Sequence, residues 1–222
     1  MKISIIIPVL NEAAAIGGTL SSLAPIRARG HEVIVADGGS EDATRELAAP
    51  LADRVIVAPR GRARQMNAGA AGAGGEALLF LHADTRLPAN ADQFIFHALN
   101  KNLWGRFDVA IEGRSVLLPV IAFLMNLRSR LSGIATGDQA IFVRRDAFSG
   151  FPEIALMEDV AFSQVMKRRS PPACLHARVM TSGRRWDERG VLRTMLLMWR
   201  LRLGYFLGAA PDDLARRYAN KS

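Results

Sequence analysis

Four short apolar runs rich in β-branched residues recur through the first half of the chain: Ile3 to Ile7, Glu32 to Ala36, Arg54 to Val57 and Ala77 to Leu81. They read as strands. Segments of helix length separate them: Glu12 to Arg29, in which Ala13, Ile16, Leu20 and Leu23 recur on one face, then Glu41 to Ala49, then Arg62 to Ala73. Apolar strands that alternate with helices lie in a parallel sheet covered on both faces. The second half is less regular. Strands are expected near Phe107 to Glu112, Gln139 to Arg144 and Ala173 to Met180, and helices near Leu118 to Leu131, Asp159 to Arg168 and Val191 to Leu207. No long polar linker divides the chain, so one α/β domain over residues 1–222 is expected, its sheet mostly parallel with helices on both faces.

Composition narrows the class. Half of the 222 residues are hydrophobic and 23% are charged, too apolar for a disordered chain. Cys174 is the single cysteine, and no Cys/His cluster has zinc spacing, so a stapled secreted fold is excluded and a reducing, cytoplasmic setting is expected. The opening MKISIIIPVLNE carries one Lys and an apolar run that stops at Pro8, without the length or cleavage site of a leader. Neither Val116 to Leu127 nor Val191 to Leu207 reaches the roughly 18 uncharged residues that a spanning helix needs. Lys and Arg number 29 against 21 Asp and Glu, a net charge of +8. Arg dominates, and its planar fork suits phosphate oxygens. The charge favours an anionic partner without naming one, and compositional bias accounts for it equally well.

In parallel sheets ligands bind at the carboxyl ends of the strands. That rule selects Pro8 to Glu12, Asp37 to Asp42, Pro59 to Arg64 and His82 to Arg86, which hold most of the polar, Gly-rich sequence of this half. Asp37 can accept hydrogen bonds from a base or ribose, while Gly38 and Gly39 let the backbone approach a ligand. An ordinary Asp-Gly turn followed by a helix cap explains the same residues. Arg62 and Arg64 flank a helix N-terminus, a cradle for a diphosphate or merely a solvated basic turn. His82 and Asp84 are expected side by side at the end of the fourth strand, a pair suited to Mn²⁺ or Mg²⁺ on a nucleotide diphosphate; His82 is equally suited to a hydrogen bond at the sheet edge. Farther on, Gly137-Asp138-Gln139 leads into a strand and Met157-Glu158-Asp159 opens a helix, where a carboxylate can cap the helix or take a proton from an acceptor hydroxyl.

These tips occur in one order: PVLNE, DGGSEDAT, GRARQMNAGA, FLHADT, GDQ and MEDV. Together, over about residues 1–165, they resemble family 2 glycosyltransferases of the GT-A fold. The resemblance implies a donor that is a nucleotide-diphosphate sugar, usually UDP-linked, and an acceptor hydroxyl whose identity it leaves open. It puts Pro8, Asn11, Glu12, Asp37 and Gly38 at the nucleoside, and Arg62, Arg64 and Asn67 toward the nucleotide or diphosphate. Asp84, with His82, would bind a divalent metal, and Asp159 would be the base, with Glu158 the alternative. Residues 1–100 would be the nucleotide-binding half and 101–222 the acceptor side. His82 departs from the family, which commonly has an acidic residue at the first position of Asp-x-Asp. FLHADT, GDQAIFVRRDAF and MEDV further resemble small bacterial members associated with arsenosugar biosynthesis. The chemistry implied is inverting transfer, with the departing diphosphate stabilised by metal, arginine and helix N–H groups.

Rival classes fit less well. A dinucleotide-dependent oxidoreductase would need Gly-x-Gly-x-x-Gly where the chain has PVLNEAAAIGG. A sugar-nucleotide pyrophosphorylase would want a Gly-rich loop directly after the first strand. Nucleic-acid binding would need aromatics exposed among the arginines, and only Trp186, Trp199 and Tyr205 come close. Arg185 to Tyr205 offers a broad apolar helical surface interrupted by arginines. Packing on the domain is the expected use of such a helix, and peripheral contact with anionic lipid is the alternative.

Overall fold

The computed structural model describes residues 1–219. Strand β1 (Ile3–Val9) pairs in parallel with β2 (Glu32–Asp37) on one side and with β4 (Ala77–Phe80) on the other, and β3 (Arg54–Val57) extends the sheet beyond β2. Alternate residues of β1 enter two separate cores. Ile3, Ile5, Ile7 and Val9 join Ile16, Leu20 and Leu23, whereas Ile6 faces the other way, onto Ala63, Met66 and Ala70. Both faces are therefore dry, as the uninterrupted apolar run requires. The covering helices are α1 (Ala13–Ser22) and α2 (Ala24–Ala28) on one side and α4 (Arg62–Ala71) on the other; α3 (Thr44–Ala48) follows β2. The segment expected as one helix from Glu12 is divided at Leu23, because Pro25 lacks an N–H and sits comfortably only in the first turn of a new helix.

The eight strands run in the order β3-β2-β1-β4-β7-β6-β8-β5. Strand β7 (Phe142–Arg144) is antiparallel to both β4 and β6 (Trp104–Glu112), β6 is parallel to β8 (Ala173–Ser182), and the two-residue β5 (Thr85–Arg86) is antiparallel to β8. The sheet is thus parallel in its N-terminal part and mixed beyond it. Helix α5 (Ala91–Leu99) packs Ile95, Ala98 and Leu99 into the first core. Helix α6 (Leu118–Ser132) lies against β6, and α7 (Glu158–Arg169) covers the second core through Phe162 and Met166. The chain ends in α8 (Arg184–Arg189), α9 (Val191–Phe206) and α10 (Pro211–Ala219).

Helix α9 departs from a simply packed helix. Its inner side, through Leu201, meets Leu214, Ile134, Met157 and Val160. Its outer side carries Leu192, Leu196, Trp199, Leu203 and Phe206, each about half exposed or more. These recur three or four residues apart, so they form one stripe. Helix α6 has a similar stripe in Val120, Phe123, Leu127 and Leu131. Among the described residues, no helix is long and apolar enough to cross a membrane.

A buried network ties α5 to the start of the sheet. Asp92 is 3% exposed and accepts hydrogen bonds from Arg29 Nε at 2.7 Å and Nη2 at 3.1 Å. His31 Nδ1 accepts from the Ile3 amide at 3.2 Å, which leaves Nε2 to donate to Asp92 Oδ2, also at 3.2 Å. Burial works against the Asp92 charge, yet the bonds from Arg29 and His31 outweigh it and hold its carboxyl below the ordinary value. A depressed carboxyl stabilises the fold above the unfolded value near ~3.9, and that contribution is lost as pH falls through the folded value. Asp92→Ala should therefore cost about 1–3 kcal/mol at neutral pH. In urea melts repeated down to strongly acidic pH, the difference from the native chain should shrink.

Candidate active site

The first two tips are stitched to each other. Asn11, in the left-handed region at φ 55°, accepts the Glu41 amide on its Oδ1 at 2.9 Å, and its own amide donates to Ser40 Oγ at 2.9 Å. The Glu12 amide donates to Thr44 Oγ1 at 2.8 Å. Asp37 is fully buried and accepts the Gly39 and Ser40 amides at 3.0 Å, together with the Ser40 hydroxyl. Its carboxylate thereby closes its own turn, the structural use that an Asp-Gly sequence also allows.

Gln65 does work that the motif did not disclose. Its Nε2 donates to the Val9 carbonyl at 2.6 Å and to the Ala36 carbonyl at 2.9 Å, joining the carboxyl ends of β1 and β2. A Cβ at Gly38 would stand 2.9 Å from the Gln65 carboxamide, so the glycine here makes room for that clamp. The readable signal was position: Gln65 shares the buried face of α4 with Met66, Gly69 and Ala70. Asn67 is likewise occupied, holding the Phe151 amide on Oδ1 at 2.8 Å and the Phe151 carbonyl through Nδ2 at 2.9 Å. Arg64 meets Glu153 at 3.3 Å in an exposed pair.

A cavity of about 960 Å³ opens beside these tips. Of the residues expected at the site, Pro8, Glu12, Arg62, His82, Asp84, Glu158 and Asp159 line it. Asn11, Asp37, Gly38, Arg64 and Asn67 are not among its lining; four of the five are engaged in the contacts just described, and Gly38 makes room for Gln65. His82 and Asp84 sit in the turn between β4 and β5, with Ala83 buried between them, and both line the cavity.

The polar wall is closed by the second half of the chain. Met157 at φ 71° turns the backbone into α7, so that Glu158 and Asp159 are delivered at the helix start. Glu158 has a side chain only 3% exposed and meets Arg62 Nη1 at 3.2 Å. Burial raises its carboxyl above the usual range, Arg62 opposes this and the neighbouring charge of Asp159 adds to it. Asp159 accepts the Gly137 amide on Oδ2 at 2.9 Å and its neighbour Val160's amide on Oδ1 at 2.7 Å.

Asp138 completes the wall, from a short 3-10 turn over Gly137–Gln139. His82 Nδ1 lies 3.2 Å from its Oδ1. Burial opposes the Asp138 charge, but His82, Arg62 and Arg185 outweigh it and bring its carboxyl down to about 2. His82 Nε2 is buried against Gly137, which has no space for a Cβ there, and has no hydrogen-bond partner among the described residues. Both ring nitrogens thus face the Gly137–Asp138 turn. Glu12 is pushed above its usual value by burial and then by the nearby Asp84 charge. A carboxyl raised in this way beside a second carboxylate suits a site that a cation would neutralise. Among the described residues, no group of three or more His, Cys, Asp or Glu is arranged to enclose a metal by itself.

The sequence family described as Glycosyl transferase family 2 matches residues 4–149. No curated protein sequence matches the chain significantly. Among solved structures, S. aureus TarS 1-349 is similar, at a TM-score of 0.63 and 21% identity, covering 82% of this chain and 61% of its own. The same fragment in complex with UDP-GlcNAc also has a TM-score of 0.63, at 22% identity, covering 82% of this chain and 58% of its own. Glucosyl-3-phosphoglycerate synthase from Mycobacterium tuberculosis, in complex with Mn2+, UDP and phosphoglyceric acid, is similar at 0.59 and 18% identity, covering 81% of this chain and 69% of its own. This chain therefore spans about six-tenths of the TarS fragment.

The contrast between Gln65 and Arg64 can be measured. Gln65→Ala strips two buried carbonyls of their donor and should lower stability by about 1–3 kcal/mol. Arg64→Ala removes only an exposed pair and should change it by less than about 1 kcal/mol. Equal urea midpoints for the two variants would dismiss the clamp.

Proposed function

Because the chain belongs to glycosyl transferase family 2 and has the GT-A fold, we propose that it transfers a sugar from a UDP-linked donor to an acceptor hydroxyl with inversion at the anomeric carbon. The observation that carries this reading is Asp159 on the wall of the cavity, its carboxylate oriented by two backbone amides and facing the same space as Asp84 and Arg62. The TarS and glucosyl-3-phosphoglycerate synthase complexes hold UDP-GlcNAc and UDP, which supports a nucleotide donor. The wording of the tips supports a place among the small bacterial members associated with arsenosugar biosynthesis.

The roles follow from the contacts. Glu158 is committed to Arg62, which leaves Asp159 to take the acceptor proton as the hydroxyl attacks. Arg62, pinned by Glu158 at the mouth of α4, holds positive charge where a diphosphate would depart. Asp84 would hold a divalent ion, Mn²⁺ or Mg²⁺, which would supply positive charge against the leaving diphosphate. His82 would join it only by breaking with Asp138. Asp138 orients His82.

The exposed stripes of α6 and α9 support peripheral contact with a lipid surface, with Arg193 and Arg200 beside them to meet anionic headgroups. A membrane-held acceptor would then be presented at the cavity.

Two experiments check the reading. Release of UDP from a panel of UDP-sugars in the presence of Mn²⁺ should fall by about a hundredfold or more in Asp159→Asn. Asp84→Ala should lose most turnover while remaining folded. Damage from Glu158→Gln alone, with Asp159→Asn active, would exchange the two roles, and an active Asp84→Ala in EDTA would remove the metal. In flotation with anionic vesicles, the protein should rise at low salt and stay behind at high salt. Absence at low salt would end the lipid reading.

A further inference from the structure

Part of the cavity lining takes no share in the transfer chemistry. It comes from α6 and α9, through Ile121, Leu124, Leu127, Met195, Met198 and Trp199. Two cations, Arg128 from α6 and Arg202 from α9, line the same cavity. Arg128 is anomalous. Its Nε and Nη2 are buried and have no hydrogen-bond partner among the described residues. Other arginines in comparable settings are paired, Arg62 with Glu158 and both Arg106 and Arg130 with Asp108. Burial, then repulsion from Arg202, brings the Arg128 guanidinium down to about 10, with Arg106 adding to the repulsion and Asp159 alone opposing it. A guanidinium kept from water without a counter-ion is costly, and a ligand that supplies the missing acceptors recovers that cost.

We propose that Arg128 and Arg202 form an anion subsite that receives the acceptor, and that this acceptor is an amphiphile with a phosphate-type group on a hydrocarbon body. The planar Arg128 fork donates to phosphate oxygens in pairs. The aliphatic and Trp199 walls take the hydrocarbon, and Asp159 lines the same cavity as Arg128, so a ligand held there shares its space with the base. The inference rests on the transferase reading for the word acceptor, while the subsite itself stands on the cavity. The phosphate-type group can belong to a lipid headgroup or to a free phosphorylated compound.

Binding measured by calorimetry separates these outcomes, using decyl phosphate below its micelle concentration, decanol and inorganic phosphate as probes. Decyl phosphate should bind at least about tenfold more tightly than either of the others. Arg128→Met keeps the stem and removes the charge, and should weaken decyl phosphate by about tenfold or more while leaving UDP binding unchanged. Arg128→Lys should recover part of that loss. The unliganded Arg128→Met protein should melt no lower than the native chain, because an unpaired buried cation is being removed, whereas a structural arginine would be missed. Equal decyl phosphate binding by the native chain and Arg128→Met overturns the proposal. Inorganic phosphate binding as tightly as decyl phosphate overturns the amphiphile, and points to a free phosphorylated compound. A chain that binds decyl phosphate through Arg128 but no UDP-sugar would retain the subsite and lose the transferase reading.

Discussion

The double-sided burial of β1, β2 and β4 governs everything built around them. Ile3, Ile5, Ile6 and Ile7 have no exposure, nor do Val33, Ile34 and Val35. Strands that are dry on both faces can carry polar groups only at their ends. Parallel pairing then collects the carboxyl ends of all three strands at one edge. That edge is where the two stitched loops, the Gln65 clamp and the turn bearing His82 and Asp84 meet.

A share of the polar residues at this edge is used up in holding it. Asn11, Asp37, Ser40, Thr44 and Gln65 satisfy backbone groups that sharp turns leave open. Glu12 and Asp84 line the cavity, and the second half of the chain brings charge to them. Glu158, nearly inaccessible to water, could not be held there ionised without a partner, and Arg62 supplies it across the boundary between the two halves. The same pair gives adjacent carboxylates different environments, because Asp159 is held by amides of uncharged backbone instead.

The net charge of +8 carried no address in the sequence. In the structure Arg62, Arg128, Arg184, Arg185 and Arg202 all line one cavity. They come from four helices, α4, α6, α8 and α9, so no local pattern could have grouped them. Arg128 and Arg202 are the sharpest case, since each reads as an ordinary arginine on an amphipathic helix.

Hydrophobic period was enough to establish the four N-terminal strands and, apart from the break before Pro25, the helices between them, because those signals are local. The same local signals predicted β6, β7, β8, α6, α7 and most of α9 in outline. The two-residue β5 carries too little pattern to be read alone and exists only through its partner β8. Local sequence also could not say which polar tips face the cavity and which are consumed by turns: Asp37 and Asp84 look alike as strand-end carboxylates, yet one is buried in its own loop and the other is open. Tertiary structure decided that, together with the Arg62–Glu158 pairing and the exposed side of α9, because each depends on what a distant segment places against the residue.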